Sequence, residues 1–342
     1  MKKTFNIGNK RVGINEDVFV IAEIGINHDG DFDICHKLIV AAANAGADAV
    51  KLQVVDPEES YVYGTESHEE FKNKTLQISD LKKLMDISNS LNVILFATPG
   101  DFSSVCVMKD LRMPAVKISS GLLTNTPLLK AATNLSVPIL ISTGMGYETE
   151  IDKAIEVCKE NAVDDIALLH CISLYPSPDD TVNLRRILKK RDRFDALVGY
   201  SDHTLDDLAC ISAVAMGATI IEKHFTIDSK RSGADHRISM EPKPFEVMVE
   251  KIRRITNLRG DYSLTPVKEE DIFRDERHRS IVARRDIEIG ELFSIQNLAL
   301  KRLKINDTGL PAIFYEKVMG KTAVKRLIRN TPIQLDDFVS NS

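Results

Sequence analysis

The sequence has no cysteine pair at a disulfide or metal-site spacing. Its five cysteines, Cys35, Cys106, Cys158, Cys171 and Cys210, are scattered without a CxxC, and four of them sit in apolar periodic segments. That argues against a disulfide framework and reads as reduced core residues in a reducing compartment. No apolar run approaches the length needed to cross a bilayer, and Met1-Lys2-Lys3-Thr4-Phe5-Asn6 carries no hydrophobic signal region. A cytoplasmic protein without a membrane partner is therefore expected. Basic charge is not in excess either: the formal net charge is -5, which argues against nucleic acid or a membrane surface as a partner for the whole molecule. Internal repeats and low-complexity segments are absent.

What is present is a long alternation. A chain of 342 residues exceeds the size at which one core stops growing, so a large domain with a smaller one is expected. Strand-like runs fall at Val18–Gly25, Ala47–Val54, Val93–Thr98, Ala115–Ser119, Pro138–Thr143, Ile166–Cys171, Ala196–Ser201 and Ala218–Lys223, separated by amphipathic helical patterns. Eight such units predict an α/β fold, a (β/α)8 TIM barrel over residues 1–260, with an open doubly wound sheet as the alternative. The charged stretch 261–278 reads as a linker. Residues 279–342, with short strands and turns, read as a small, mostly β domain near the lower limit of independent stability.

The strands are apolar in their bodies and polar at their ends: Glu23, Lys51 with Gln53, Thr98, Lys117 with Ser120, Ser142 with Thr143, His170 and Ser173 with Tyr175, Ser201 to His203, and Glu222 to His224. In an α/β barrel those ends build the active site. A lysine inside an apolar strand needs a partner, and Lys51 and Lys117 are two such residues. They suit a strongly anionic ligand, with Thr98, Ser120, Ser173 and Ser201 as neutral donors to phosphate oxygens. An internal pair with Glu23 or Glu222, or a Schiff-base amine, remains open. His203 and His224, at the ends of neighbouring strands, can chelate one divalent ion with open positions left for a Lewis-acid role, or can be hydrogen-bonded structural residues. Asp202 and Glu222 are expected to orient those rings. Glu23 suits acid/base work or acts as a counter-charge to the lysines, and Asn27 with His28 stand between packing and substrate contact.

Glu23-Ile24-Gly25-Ile26-Asn27-His28-Asp29-Gly30, Val50-Lys51-Leu52-Gln53, Lys117-Ile118-Ser119-Ser120-Gly121, Leu168-Leu169-His170-Cys171, Tyr175-Pro176-Ser177-Pro178, Gly199-Tyr200-Ser201-Asp202-His203-Thr204, Glu222-Lys223-His224-Phe225-Thr226 and Gly233-Ala234-Asp235-His236 occur in that order. Together they resemble the motifs of sialic acid synthases and the related legionaminic acid synthases, and the chain from Arg279 onward resembles the antifreeze-like (SAF) domain attached to those enzymes. The resemblance implies condensation of phosphoenolpyruvate with an open-chain N-acylated hexosamine to a nine-carbon 2-keto acid and phosphate, by C–O cleavage. It implies that Lys51, Thr98, Lys117, Ser120, Ser173 and Ser201 hold phosphoenolpyruvate, and that His203 and His224 hold Mn²⁺, with Mg²⁺ or Co²⁺ as alternatives. Glu23 would handle a proton or stabilise developing positive charge. Gln53, Tyr175 and Asp235 would contact the sugar, and Arg302 would reach in from a partner in a domain-swapped homodimer.

Four departures bear on the substrate. Leu122 stands where many members carry an acidic residue, Ser173 where some have Asn, Leu303 where Pro usually follows the arginine, and the Val54–Leu76 loop is atypical. Readings outside this chemistry are a Schiff-base pyruvate-dependent lyase working through Lys117 or Lys51, and a sugar-binding relative that has lost turnover. The Gly233–Asp235 loop resembles the sialic and legionaminic type more than the pseudaminic type.

Overall fold

The computed structural model describes residues 4–233, 235–260, 263–304 and 306–339, which fall into two compact units, Met1–Gly260 and Asp261–Ser342. The first opens with a hairpin, β1 (Thr4–Ile7) and β2 (Lys10–Gly13), joined by a Gly8-Asn9 turn of the kind that suits a two-residue hairpin connection. Eight parallel strands follow: β3 (Phe19–Gly25), β4 (Ala49–Val54), β5 (Ile94–Pro99), β6 (Val116–Ile118), β7 (Ile139–Ser142), β8 (Ile166–Cys171), β9 (Leu197–Asp202) and β10 (Ile220–His224). They close into a barrel because β10 pairs with β3, from Ile220 against Phe19 to His224 against Glu23. The open-sheet alternative is thereby excluded.

Helices follow the strands, among them Phe32–Asn44, Ile78–Ser90, Thr126–Thr133, Glu148–Glu160, Leu208–Ala215 and Pro242–Leu258. Their starts are chemically marked: Asp31 accepts from the Ile34 amide and Asp101 from the Ser104 amide, satisfying donors that a helix N-terminus leaves open. The atypical loop after β4 carries two short helices, Pro57–Ser60 and Glu66–Phe71.

Side chains alternate across a strand with period two, and here the alternation sorts the molecule. Outward residues such as Val20, Ala22, Val50, Leu95, Val116, Ile141, Leu168 and Val198 join the helices in one apolar layer. Inward residues near the strand starts, Phe19, Ile21, Ala49, Ile94, Phe96, Leu140, Ala167, Leu169, Leu197 and Ile220, form a separate cluster with Phe5, Ile7 and Val12 of the hairpin. The hairpin thus plugs the amino-terminal end of the barrel. Further along six of these strands the same inward face turns polar, to Glu23, Lys51, Thr98, Ser142, Ser201 and Glu222, all buried.

The second unit holds two antiparallel pairs, β11 (Ser280–Ala283) with β12 (Leu298–Lys301) and β13 (Thr322–Ala323) with β14 (Phe338–Val339). Its own core includes Ile281, Ile287, Phe293, Leu298, Val318, Leu327 and Ile333. Within 261–278, expected as a linker, the segment Lys268–Arg277 is helical.

Candidate active site

At the carboxyl ends of the barrel strands the two lysines meet two carboxylates. Lys51 Nζ lies 2.8 Å from Glu23 Oε2 and 3.6 Å from Glu222 Oε2, and donates to Thr98 Oγ1 at 3.1 Å. Lys117 Nζ lies 3.5 Å from Glu222 Oε1, an oxygen that also accepts from Ser201 Oγ at 2.7 Å. The internal pairing left open by the sequence is present and involves both glutamates. The balance of burial against lysine charge separates their proton affinities. Burial pushes Glu23 up to about 7 despite the opposing charge of Lys51. For Glu222 burial is outweighed by Lys117 and Lys51, and the group falls to about 2. One carboxylate therefore stays anionic while the other can exchange a proton near neutrality. Lys117 is held below its ordinary value by burial, whereas for Lys51 the charges of Glu222 and Glu23 overcome burial and raise it.

Beside the lysines is a group of underused hydroxyls. Ser142 Oγ and Ser173 Oγ are buried without a hydrogen-bond partner, and Ser120 Oγ accepts from the Gly144 amide at 3.0 Å. A Cβ at residue 144 would stand 2.5 Å from Ser173 Oγ and 2.7 Å from Ser120 Oγ, so glycine is what lets the three loops converge. Buried hydroxyls without partners are few in native proteins, and here they lie on the face that the lysines make attractive to an anion. In the sequence Ser142 is a polar strand end to which no motif gives a role. Its inward parity on β7 is the signal that marks it.

The two histidines stand 5.3 Å apart, centroid to centroid. His203 Nδ1 is 2.6 Å from the Ile172 carbonyl, to which it donates, so Nε2 carries the free lone pair. His224 Nδ1 is buried without a hydrogen-bond partner, 3.7 Å from Asp235 Oδ2, and burial lowers this imidazole to about 4, which keeps it neutral. For His203 burial is outweighed by Cys171, at 3.9 Å, and by the Ile172 carbonyl, and the ring is raised. An orphaned ring nitrogen on one side and a tautomer fixed by a backbone carbonyl on the other fit a divalent cation. Among the described residues no group of three or more His, Cys, Asp or Glu gathers round these rings. Tyr175 covers it, its ring 4.0 Å from that of His203 and edge-on to His224 at 6.2 Å.

Two expectations need correction, and two open positions gain a structural setting. Asp202 is no hydrogen-bond partner of the His203 ring: it lies on the outer face of β9, paired with Lys223. His170 also faces outward, its Nε2 against the Val182 carbonyl at 2.7 Å, so it is not part of the cup. Asn27 is a packing residue that donates to the Phe225 carbonyl and Ser239 Oγ. Leu122, partly buried, packs against the outer apolar layer. His28 is a neutral imidazole: its Nδ1 accepts from the Gly30 amide, its Nε2 is buried without a partner, and burial lowers it to about 4.

The residues expected to face the sugar gather round Gly25, whose φ of +56° favours glycine. A Cβ there would meet Glu23 Oε1 at 3.3 Å, Gln53 Nε2 at 3.4 Å and Asp235 Oδ2 at 3.5 Å. Gln53 Nε2 itself donates to Glu23 Oε1 at 3.3 Å. Arg302 belongs to the second unit, exposed directly after β12.

Comparison with known proteins follows the same division. The sequence profile of the NeuB family matches residues 38–263, and that of the SAF domain matches residues 278–339. An N,N'-diacetyllegionaminic acid synthase from Campylobacter jejuni is 38% identical over 322 residues, 90% of this chain and 96% of that one. A second N,N'-diacetyllegionaminic acid synthase, from Legionella pneumophila, is 37% identical over 344 residues, 95% of this chain and 96% of that one. Among solved structures, the N-acetylneuraminic acid (sialic acid) synthetase of Leptospira borgpetersenii superposes with a TM-score of 0.77 at 33% identity, covering 80% of this chain and 97% of that one.

Proposed function

The chain belongs to the NeuB family and ends in a SAF domain, and on that premise we propose that it condenses phosphoenolpyruvate with the open-chain aldehyde of an N-acylated hexosamine. The products are a sialic or legionaminic type nine-carbon 2-keto acid and inorganic phosphate. The observation that carries this reading is the union, in one buried cup, of Lys51, Lys117 and the unpartnered hydroxyls of Ser142 and Ser173 with the two imidazoles. The first group meets the need of a phosphorylated acid, and the second that of a carbonyl oxygen.

Lys51, Lys117, Thr98, Ser120, Ser173 and Ser201 bind the phosphate and carboxylate of the donor by charge-assisted hydrogen bonds, and Ser142 joins them. His203 and His224 would hold a divalent cation, Mn²⁺ first and Mg²⁺ or Co²⁺ as alternatives, which supplies Lewis acidity at the aldehyde oxygen. Gln53, Tyr175 and Asp235 orient the sugar so that the enol carbon lies against the aldehyde carbon, converting an encounter into a near-attack geometry. The C–C bond forms between them, water adds to the oxocarbenium-like carbon, and the C–O bond to phosphate breaks. Glu23, poised near neutrality, exchanges the proton that this addition moves, while Glu222 stays anionic and keeps its lysine partners in place. Arg302 completes the sugar site from the partner of a domain-swapped homodimer.

The test is phosphate release from phosphoenolpyruvate with Mn²⁺ and a panel of acceptors: N-acetylmannosamine, its 6-phosphate and diacetamido-trideoxyhexoses. The two legionaminic acid synthases among the relatives favour a diacetamido acceptor. Release is expected only with an acceptor present, is lost in excess EDTA and returns with Mn²⁺; turnover that persists in EDTA excludes the cation's role. One observation supports a second reading. Burial holds Lys117 below the ordinary amine range, as a Schiff-base lysine requires, and borohydride trapping of a pyruvyl adduct would establish that chemistry instead.

A further inference from the structure

Behind the two histidines, on the outer faces of β9 and β10, lies a buried ion pair for which the proposed chemistry has no use. Asp202 and Lys223 are register partners on adjacent strands, 1% and 0% exposed, with Lys223 Nζ 2.6 Å from Asp202 Oδ2. The residue after each of them is a histidine. Period-two alternation places Ser201 and Glu222 inward, Asp202 and Lys223 outward, and His203 and His224 inward again.

The pair is connected more widely than charge balance demands. Lys223 Nζ also donates to the carbonyls of Thr204 and Asp206. Its three donors thereby hold one carboxylate and two points of the loop that leaves His203. Asp202 accepts from Tyr200 Oη at 2.8 Å, the Thr204 amide at 2.9 Å, Thr204 Oγ1 at 2.9 Å and Cys210 Sγ at 3.2 Å. The stretch from Tyr200 to Cys210 is therefore tied at both ends to Asp202, and one lysine on β10 holds Asp202, Thr204 and Asp206 between them. Stability alone does not explain such a design, because apolar residues of similar volume commonly replace a buried ion pair without loss. A fixed register does explain it.

We propose that Asp202 and Lys223 are positioning residues that set the separation and orientation of His203 and His224 from behind, clamping the end of β9 and its loop to the end of β10. The proposal rests on the reading of those rings as a cation site. Neither residue touches substrate or cation; each acts through the imidazole that follows it in the chain. Groups that orient metal ligands typically account for about ten- to a hundredfold in affinity, and the same range is expected here.

The test compares the full-length parent with Lys223→Met and Asp202→Asn in two independent measurements. Calorimetric titration with Mn²⁺ alone is expected to show dissociation weakened by about ten- to a hundredfold in both variants. Titration with phosphoenolpyruvate in metal-free buffer should stay within about twofold, because its lysines stand on β4 and β6. NMR of histidine-labelled, metal-free protein reads the ring-to-ring contact directly, and the His203–His224 cross-peak of the parent is expected to weaken or vanish. A folded variant that keeps both the cross-peak and the Mn²⁺ affinity overturns the proposal, as does a parallel loss of phosphoenolpyruvate binding, which would mark a general structural role. Asp202→Asn, close in shape to the parent, decides alone if Lys223→Met does not fold. If the parent and His203→Ala bind Mn²⁺ equally, the cation reading of the rings fails, while the cross-peak still decides whether the pair positions them.

Discussion

At the scale of single residues, the cup is built from groups that are costly when empty. Ser142 and Ser173 have buried hydroxyls with no partner, and an unsatisfied buried hydroxyl opposes folding. Replacing either with alanine is therefore expected to leave stability unchanged or slightly raised while weakening phosphoenolpyruvate. A lost hydrogen bond to a charged group corresponds to about 1.5–3 kcal/mol, or about ten- to a hundredfold in KM, and steady-state kinetics beside thermal melts would show the two effects moving in opposite directions. Glu23 gives a signed prediction. Its carboxyl is raised by burial from 4.5 to about 7, so the folded state holds a proton that the unfolded state releases. The stability this contributes is full below about 4.5 and is lost as pH rises through about 7. Glu23→Gln should remove that dependence from pH-resolved urea denaturation and, in kinetics, erase a limb of the rate profile near 7. Glu222, lowered to about 2, contributes in the opposite sense, stabilising above its unfolded value and losing that contribution only as pH falls towards 2.

At the scale of elements, the β1–β2 hairpin and the barrel mouth are separable. Phe5, Ile7 and Val12 fill the amino-terminal end, remote along the strands from Glu23 and the lysines. Phe5→Ala is expected to cost about 3–5 kcal/mol, visible as a lower urea midpoint, with kcat unchanged at temperatures where the variant stays folded. The eight barrel strands were legible in the sequence because each is apolar on both faces and ends in a polar cluster. The hairpin was not read, although Gly8-Asn9 between two short alternating runs is a turn signal, because strands of four residues fall below what periodicity can separate from noise. Asp202 was misplaced for a different reason. Motif proximity suggested a partner for His203, whereas strand parity, equally available from the sequence, puts neighbours in a strand on opposite faces. The helix Lys268–Arg277 is hidden by its charge: three acidic residues in its first turn and two arginines late in it suit a helix dipole, yet with few apolar positions the segment looks like a tether. The roles of Leu122 and Asn27 depend on packing against residues far away in sequence, which no local pattern reports.

At the scale of the whole molecule, the dimer proposed from Arg302 predicts complementation. Glu23→Gln and Arg302→Ala chains, each impaired alone, should regain activity when unfolded together and refolded as mixed dimers, since one of the two sites then combines an intact Glu23 with an intact Arg302. No gain on mixing would exclude Arg302 acting from the partner. The plugged barrel has a kinetic meaning as well. With an apolar floor and a single polar mouth, whatever sits on Lys51 and Lys117 lies beneath whatever sits on Gln53, Asp235 and the histidines, and everything must pass the same opening. A vessel with one door fills in order and empties in reverse, so the proposed reaction is expected to take the phosphorylated acid before the sugar and to release phosphate after the nine-carbon product. Product-inhibition patterns would then show phosphate competing with phosphoenolpyruvate and the keto acid competing with neither substrate in a simple way, a sequence of events dictated by a hairpin that touches no reactant.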